Sequence, residues 1–246
     1  MIYVMSDIHG NLRRYRSVME QIQLQPEDTL YVLGDVMDRY PSGVLILREL
    51  MEMPNVKLLL GNHEYMMLQV MDPVSIRTVN RMERWKCRPR WYRNGGEVTQ
   101  RALEALDRES REKLLAYVRA LPLFYELERN GTVYRLIHAA PLELYREQGW
   151  SYANQTEFTV WHRWAPDEEL PGKPGLVVIF GHSATCHFDK TADPMRIWYG
   201  DHRIGIDCGS GYPENASDYG YPQGRLACLR LDDGKEFYSE EFSEKP

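Results

Sequence analysis

Aspartate, histidine and asparagine gather at five places in this chain: Ser6-Asp7-Ile8-His9-Gly10, Gly34-Asp35-Val36-Met37-Asp38-Arg39, Gly61-Asn62-His63-Glu64, His138-Ala139 and Gly181-His182-Ser183. Carboxylates and imidazoles with no cysteine among them suit manganese, iron or zinc better than a thiolate-bound structural zinc. The set is large enough for two divalent ions, with Asp7, His9 and Asp35 on one and Asp35, Asn62, His138 and His182 on the other, Asp35 bridging. Two such ions roughly 3.5–4 Å apart lower the pKa of a shared water, orient phosphoryl oxygens and stabilise an in-line transition state. Manganese is the first expectation, with iron or zinc as alternatives. The remaining polar residues have natural tasks. His63 is placed to protonate a leaving oxygen, Asp38 to hold its ring in the needed tautomer, and Arg39, whose planar fork matches phosphate oxygens, to grip the substrate beside Asn62.

These clusters matter only if the chain brings them together. Each directly follows a short apolar, often β-branched run: Ile2 to Met5, Leu30 to Leu33, Val56 to Leu60, Tyr134 to Ile137 and Leu176 to Phe180. Read as buried strands, the five deliver their polar residues to one sheet edge, the place where open α/β sheets bind ligands. Gly34, Gly61 and Gly181 each precede a candidate ligand and permit close backbone approach. Leu12, Tyr15, Val18, Met19 and Ile22 are spaced by threes and fours after Asn11, a good N-cap, and stop before Pro26; a second amphipathic helix runs from Ser42 towards Pro54. A third spans Ser110 to Leu121, and Arg203 to Asp207, Leu226 to Leu231 and Lys235 to Phe242 add strands. The β-α-β-α-β opening predicts an α/β fold, a layered sheet sandwich flanked by helices.

Composition bounds the rest. At 246 residues, 43% hydrophobic and 27% charged, the chain suits a single domain spanning 1–246. It shows no repeat, low-complexity tract, basic leader or membrane-length apolar stretch. Cys87, Cys186, Cys208 and Cys228 are scattered, which suits a reducing cytoplasm. A net charge of −6 argues against broad nucleic-acid binding. Against that average, Arg77, Arg81, Arg84, Lys86, Arg88, Arg90 and Arg93 face only Asp72 and Glu83 in the stretch 72–93. This is either a solvated surface or a collar steering an anionic substrate; in the second case, reversing Arg88 and Arg90 raises KM.

Asp-x-His-Gly, Gly-Asp-x-x-Asp-Arg and Gly-Asn-His-Glu stand here in order, and the chain resembles the phosphoprotein phosphatase branch of the metallophosphoesterases. Trp91-Tyr92-Arg93-Asn94-Gly95-Gly96, Leu121-Pro122-Leu123, Trp161-His162-Arg163 and Ile206-Asp207-Cys208-Gly209 extend the likeness to small bacterial and phage lambda-type phosphatases. The resemblance implies the calcineurin-like metallophosphoesterase fold, a two-sheet β-sandwich flanked by helices. It also implies Arg163 as a second phosphate-gripping arginine, which spacing alone does not identify. Two departures bear on substrate choice: Tyr40-Pro41 replaces the glycine that usually follows Asp-Arg, and the stretches 150–170 and 210–224 are longer or more aromatic, with Tyr212, Tyr219 and Tyr221.

Glu64 opens a helix and reads as structural. His162, His187 and His202 match no motif, Cys208 reads as packing, and Asp207 either orients a ligand or merely ends a strand. The expected activity is release of phosphate from phosphoserine or phosphothreonine, with phosphotyrosine as a further option, by a hydroxide held between the two ions. The alternative is hydrolysis of phosphoanhydrides such as dinucleoside polyphosphates or polyphosphate. The expected partner is accordingly a phosphorylated protein or an anionic small-molecule phosphate, with no membrane. A binding protein without turnover is disfavoured by the intact His63, Asp38 and Arg39.

Overall fold

The computed structural model describes residues 1–72, 84–165, 175–189, 191, 193–220 and 222–240, without the side chains of Arg84 and Tyr219. Arg77, Arg81, Tyr221 and the end of the strand expected to reach Phe242 lie outside the described residues. In chain order the strands are β1 (Ile2–Met5), β2 (Thr29–Val32), β3 (Val56–Leu58), β4 (Phe124–Arg129), β5 (Thr132–Ile137), β6 (Leu176–Phe180), β7 (Trp198–Gly200), β8 (Arg203–Gly205), β9 (Ala227–Arg230) and β10 (Lys235–Tyr238). The helices are α1 (Leu12–Ile22), α2 (Gly43–Glu52), α3 (Asn62–Met71), α4 (Arg84–Arg93), α5 (Glu97–Glu104), α6 (Arg108–Arg119), α7 (Tyr145–Gln148) and α8 (Gln155–Trp161).

Two five-stranded sheets form, in the orders β10-β9-β1-β2-β3 and β4-β5-β6-β8-β7. Within the first, β1, β2 and β3 are parallel, with Val4 opposite Tyr31 and Val32 opposite Leu58. Within the second, β5, β6 and β8 are parallel. Strand alternation sorts side chains into layers. Val4, Tyr31, Leu33, Leu136, Ile179, Cys208 and Leu229 fill the space between the sheets. Tyr3, Met5, Leu30, Val32 and Leu58 face the other way, onto α1, α2, α3 and α6, through Tyr15, Val18, Leu47, Leu50, Met66 and Val118. On the far side Val178 and Phe180 pack against Phe158 and Trp164. Burying each of these large aliphatic side chains contributes roughly 1.5–3 kcal/mol. This is the calcineurin-like α/β architecture, two mixed sheets flanked by helices.

The helices start where the sequence signals. Asn11 Oδ1 accepts the Arg14 amide at 3.1 Å, and Asp107 Oδ1 accepts that of Ser110 at 2.8 Å. The latter cap starts α6 two residues earlier than its apolar spacing suggests. β4 and β7 are sheet-edge strands that alternate exposed and half-buried residues and carry no fully buried run. Among the described residues no helix is long and apolar enough to cross a membrane.

Candidate metal and phosphate site

Six parallel strands end at one rim. β1 leads to Asp7 and His9, β2 to Asp35, Asp38 and Arg39, β3 to Asn62 and His63, β5 to His138, β6 to His182 and β8 to Asp207. The turns after these strands are tight. Asp7, His9, Asp35, Asp38, Arg39 and His182 all have positive φ, between 52° and 70°. Left-handed backbone costs on the order of 1–3 kcal/mol at such residues and persists only where the surroundings enforce it. Here the enforcement is mutual: the Asp7 amide donates to Gly34 O at 3.1 Å, that of His9 to Asp35 O at 2.9 Å and that of Gly10 to Val36 O at 2.7 Å. Gly181 allows the two sheets to meet, since a Cβ there would lie 2.3 Å from Asp7 Oδ2.

Asp35 stands at the centre. Its Oδ2 lies 3.7 Å from both His9 Nε2 and His63 Nε2, and its Oδ1 lies 3.4 Å from His138 Nε2. Asp7 Oδ1 is 3.8 Å from His9 Nε2. Two groups of potential ligand atoms, His9 with Asp35 and His63, and Asp35 with His138 and His182, each lie within 4.8 Å of one another and share Asp35.

The outer nitrogens fix the imidazole tautomers. His9 Nδ1 donates to Met37 O at 3.2 Å, His138 Nδ1 to Leu33 O at 2.7 Å and His182 Nε2 to Trp161 O at 3.1 Å. Burial pushes all three rings below their ordinary pKa, helped at His9 by Arg39 and at His182 by His138 and Arg163, which favours their neutral form. The inner nitrogens are then bare lone pairs. Those of His138 and His182 each sit 2.9 Å from Asn62 Oδ1, itself an acceptor. Acceptor atoms gathered this closely suit a cation, and oxygen and nitrogen donors of this kind fit a divalent metal.

The carboxylates add to that requirement. Burial raises Asp7 well above the usual range, and the charges of Asp207 and Asp35 raise it further. Burial also disfavours the charge on Asp35, yet the imidazoles of His138, His63, His9 and His182 hold it below its ordinary value. Asp207 is buried as well, which raises it, and its Oδ1 accepts the Gly209 amide at 2.9 Å.

Beside this cluster lies a second arrangement. His63 Nδ1 donates to Asp38 Oδ2 at 2.6 Å, while His63 Nε2 points inward with no hydrogen-bond partner. Burial alone would lower the pKa of this ring, but Asp35 and Asp38 raise it above the ordinary value. Trp91 Nε1 also donates to Asp38 Oδ2, at 2.7 Å, and the Asp38 amide donates to Thr99 Oγ1 at 3.0 Å. Nothing in residue type or spacing pointed to Trp91 or Thr99. Their role arises from a contact across more than 50 residues. Glu64 is fully buried and accepts the amides of Asp35, Val36 and Gly61 at 2.8, 2.9 and 3.1 Å. Burial and the nearby Asp35 charge push its carboxyl up to about 7. It shapes the turn that carries Asp35.

Arg39 and Arg163 are exposed at the rim, and Arg163 Nη1 reaches His182 O and Ser183 Oγ at 3.3 Å each. Arg90 is occupied by Glu157 at 2.9 Å and by Gln69 at 2.5 Å, whereas Arg88 and Arg93 are exposed. His162 stacks on Phe158 and His202 lies exposed in the turn before β8, both away from the ligand set.

Comparison with known proteins bears on this geometry. A family model described as calcineurin-like phosphoesterase matches residues 1–198. The symmetrical bis(5'-nucleosyl)-tetraphosphatase of Erwinia tasmaniensis is 39% identical over 70 residues, which is 28% of this chain and 26% of that protein. The enzyme of the same name from Aromatoleum aromaticum is 29% identical over 143 residues, 57% of this chain and 44% of that protein. The chain therefore matches less than half the length of these relatives. A crystal structure provisionally named a diadenosine tetraphosphatase superposes with a TM-score of 0.60 at 17% identity, covering 96% of this chain and 91% of that one. The cold-active protein-tyrosine phosphatase of a psychrophilic Shewanella gives 0.54 at 12%, with 97% and 80% covered. At such identities these two superpositions show the fold alone.

Proposed function

Because the chain belongs to the calcineurin-like phosphoesterase family, matched over residues 1–198, we propose that it hydrolyses phosphoanhydride bonds of dinucleoside polyphosphates. The observation that carries the substrate class is the likeness to two bis(5'-nucleosyl)-tetraphosphatases. The chemistry is supported by the shared position of Asp35 between two groups of buried ligand atoms. On this reading Asp7, His9 and Asp35 hold one divalent ion and Asp35, Asn62, His138 and His182 the other, with manganese the first choice and iron or zinc the alternatives. When bound, the two ions supply an attacking water acidic enough to act near neutral pH and positive charge for the phosphoryl oxygens.

The chain's own residues do the rest. Arg39 and Arg163 grip non-bridging oxygens, Asn62 helps to place the phosphoryl group, and His63 offers its Nε2 proton to the departing oxygen while Asp38 fixes its ring. The bond from the attacked phosphorus to the bridging oxygen of the leaving nucleotide breaks, and the oxygen of water stays on the attacked phosphoryl group, which becomes the terminal phosphate of the second nucleotide product. On this reading the attack is direct, without a phosphoenzyme, so solvent oxygen-18 should enter the product; a trapped phospho-residue would contradict the scheme. Residues 1–246 act as one domain on this reading, supported by a single core between the sheets. A cytoplasmic setting fits the four free cysteines.

Dephosphorylation of phosphoserine or phosphothreonine is the second reading. It is supported by the ordered motifs and by Trp161-His162-Arg163, but the comparisons favour the anhydride. The test is phosphate and nucleotide release by metal-stripped protein, with and without manganese, on diadenosine tetraphosphate, polyphosphate, a phosphopeptide and p-nitrophenyl phosphate, with Asp35→Asn as control. Manganese-dependent turnover of diadenosine tetraphosphate above all others supports the proposal. Preference for the phosphopeptide would replace it with the second reading.

A further inference from the structure

A cleft of about 650 Å³ opens beside Arg39, lined also by Tyr40, Arg93, Asn94, Pro213 and Glu214. We infer that this cleft is the subsite for the leaving nucleotide, a nucleoside diphosphate whose phosphates lie between Arg39 and Arg93. This rests on the dinucleoside polyphosphate reading above, and beyond Arg39 it concerns residues, Tyr40, Arg93, Asn94, Pro213 and Glu214, for which the hydrolytic chemistry itself gives no task.

Three observations carry it. The first is charge: two arginines, Arg39 and Arg93, line the cleft in a chain whose net charge is −6, and the sole acid on the lining, Glu214, lies 3.9 Å from Arg13. Paired guanidinium groups suit a diphosphate, whose several oxygens accept from both.

The second is position. The segment that lines the cleft with Arg93, Asn94 and Gly95 is the one that carries Trp91 to Asp38, and its Gly95 O accepts the Arg39 amide at 3.0 Å. The cleft thus adjoins the side on which His63 is held, where the leaving oxygen departs. Gly211 forms the boundary with the metal ligands, since a Cβ there would lie 2.4 Å from His9 Cδ2 and 2.5 Å from Arg39 Nη1.

The third is construction. The far wall is pinned: buried Arg14 donates through Nη1 to Ser210 O at 2.6 Å and to Tyr212 O at 3.3 Å, and Tyr40 Oη donates to Tyr212 O at 2.8 Å. Tyr40 occupies the place after Asp-Arg where the resembling phosphatases have glycine. It therefore contributes both an anchor for the wall and a half-exposed ring, with Pro213, against which a base can lie. Glu214 then offers an acceptor to ribose hydroxyls or a base amino group.

The experiment is calorimetric titration of ADP into the metal-loaded, full-length protein, wild type and Arg93→Ala, together with KM for diadenosine tetraphosphate and for p-nitrophenyl phosphate. Arg93→Ala should weaken ADP binding roughly tenfold and raise KM for the dinucleotide by a similar factor, against a much smaller rise for p-nitrophenyl phosphate. Arg93→Lys should recover part of the loss, and Tyr40→Ala should weaken ADP more than Tyr40→Phe. ADP binding that ignores Arg93 and Tyr40, or equal KM changes for both substrates, overturns the subsite even if the dinucleotide is a good substrate. Conversely, Arg93-dependent ADP binding by an enzyme that does not cleave the dinucleotide would keep the subsite and remove the proposed substrate.

Discussion

Trp91 Nε1 donates to Asp38 Oδ2 at 2.7 Å, the same oxygen that accepts from His63 Nδ1 at 2.6 Å. Both donors reach one carboxylate oxygen from a fully buried setting, while Asp38 Oδ1 has no hydrogen-bond partner. An indole N–H can only donate, so it keeps that oxygen an acceptor and holds it where His63 needs it. Trp91→Phe keeps most of the buried ring and removes the donor. The expected result is a fall in kcat of about tenfold with KM nearly unchanged, the usual scale for loss of an orienting partner. Steady-state kinetics on an alkyl phosphate would check it, and an unchanged kcat would mean that His63 alone positions Asp38.

Asp38→Asn probes the next link. Asn tolerates the positive φ of 70° at this position, so the turn should survive where alanine would strain it. His63 is held above its ordinary pKa, against burial, by Asp35 and by Asp38. Removing one of those charges lowers the pKa of the acid, which then loses its proton at lower pH. The alkaline limb of the kcat profile should move towards acid by about one pH unit or more. A limb that stays in place would assign it to another group.

His63→Ala should distinguish substrates by leaving group. An alkyl phosphate needs its departing oxygen protonated, and loss of a general acid costs about 10²–10⁴-fold there. p-Nitrophenolate departs without help and a nucleoside diphosphate needs less help than an alkoxide, so those rates should fall less. Equal slowing of all three would argue against an acid role for His63.

Stripping the metals should destabilise the fold as well as silence it. The lone pairs around Asn62 and the buried carboxylates Asp7, Asp35 and Asp207 are left without the positive charge that their geometry asks for. At a metal concentration 100 times the dissociation constant, binding contributes about 2.7 kcal/mol. For a chain of this size that corresponds to a Tm shift on the order of 5–10 °C. Thermal melts with and without manganese would measure it. The shift should largely disappear in Asp35→Asn, which weakens both metal positions at once.

Much of this candidate site was legible in the order of residues, because strand ends that carry candidate metal ligands announce themselves twice, by an apolar run and by the polar cluster that stops it. Asp7, His9, Asp35, Asn62, His138 and His182 are local events of this kind, each following its own strand. So are the Asn11 cap of α1, a contact three residues long, and the alternation of apolar runs and amphipathic helices that opens the chain. The tertiary structure alone decided the rest. Trp91 meets Asp38 across 53 residues, Arg14 meets the Ser210 and Tyr212 carbonyls across nearly 200, and Arg90, plausible as a steering charge, turns out to be occupied by Glu157. Composition and spacing carry no trace of such pairings, since each partner is an ordinary residue until packing brings the other within reach. The cleft beside Arg39 is of the same kind: its walls come from three distant segments, and only the way the two sheets and their loops close on one another sets them face to face.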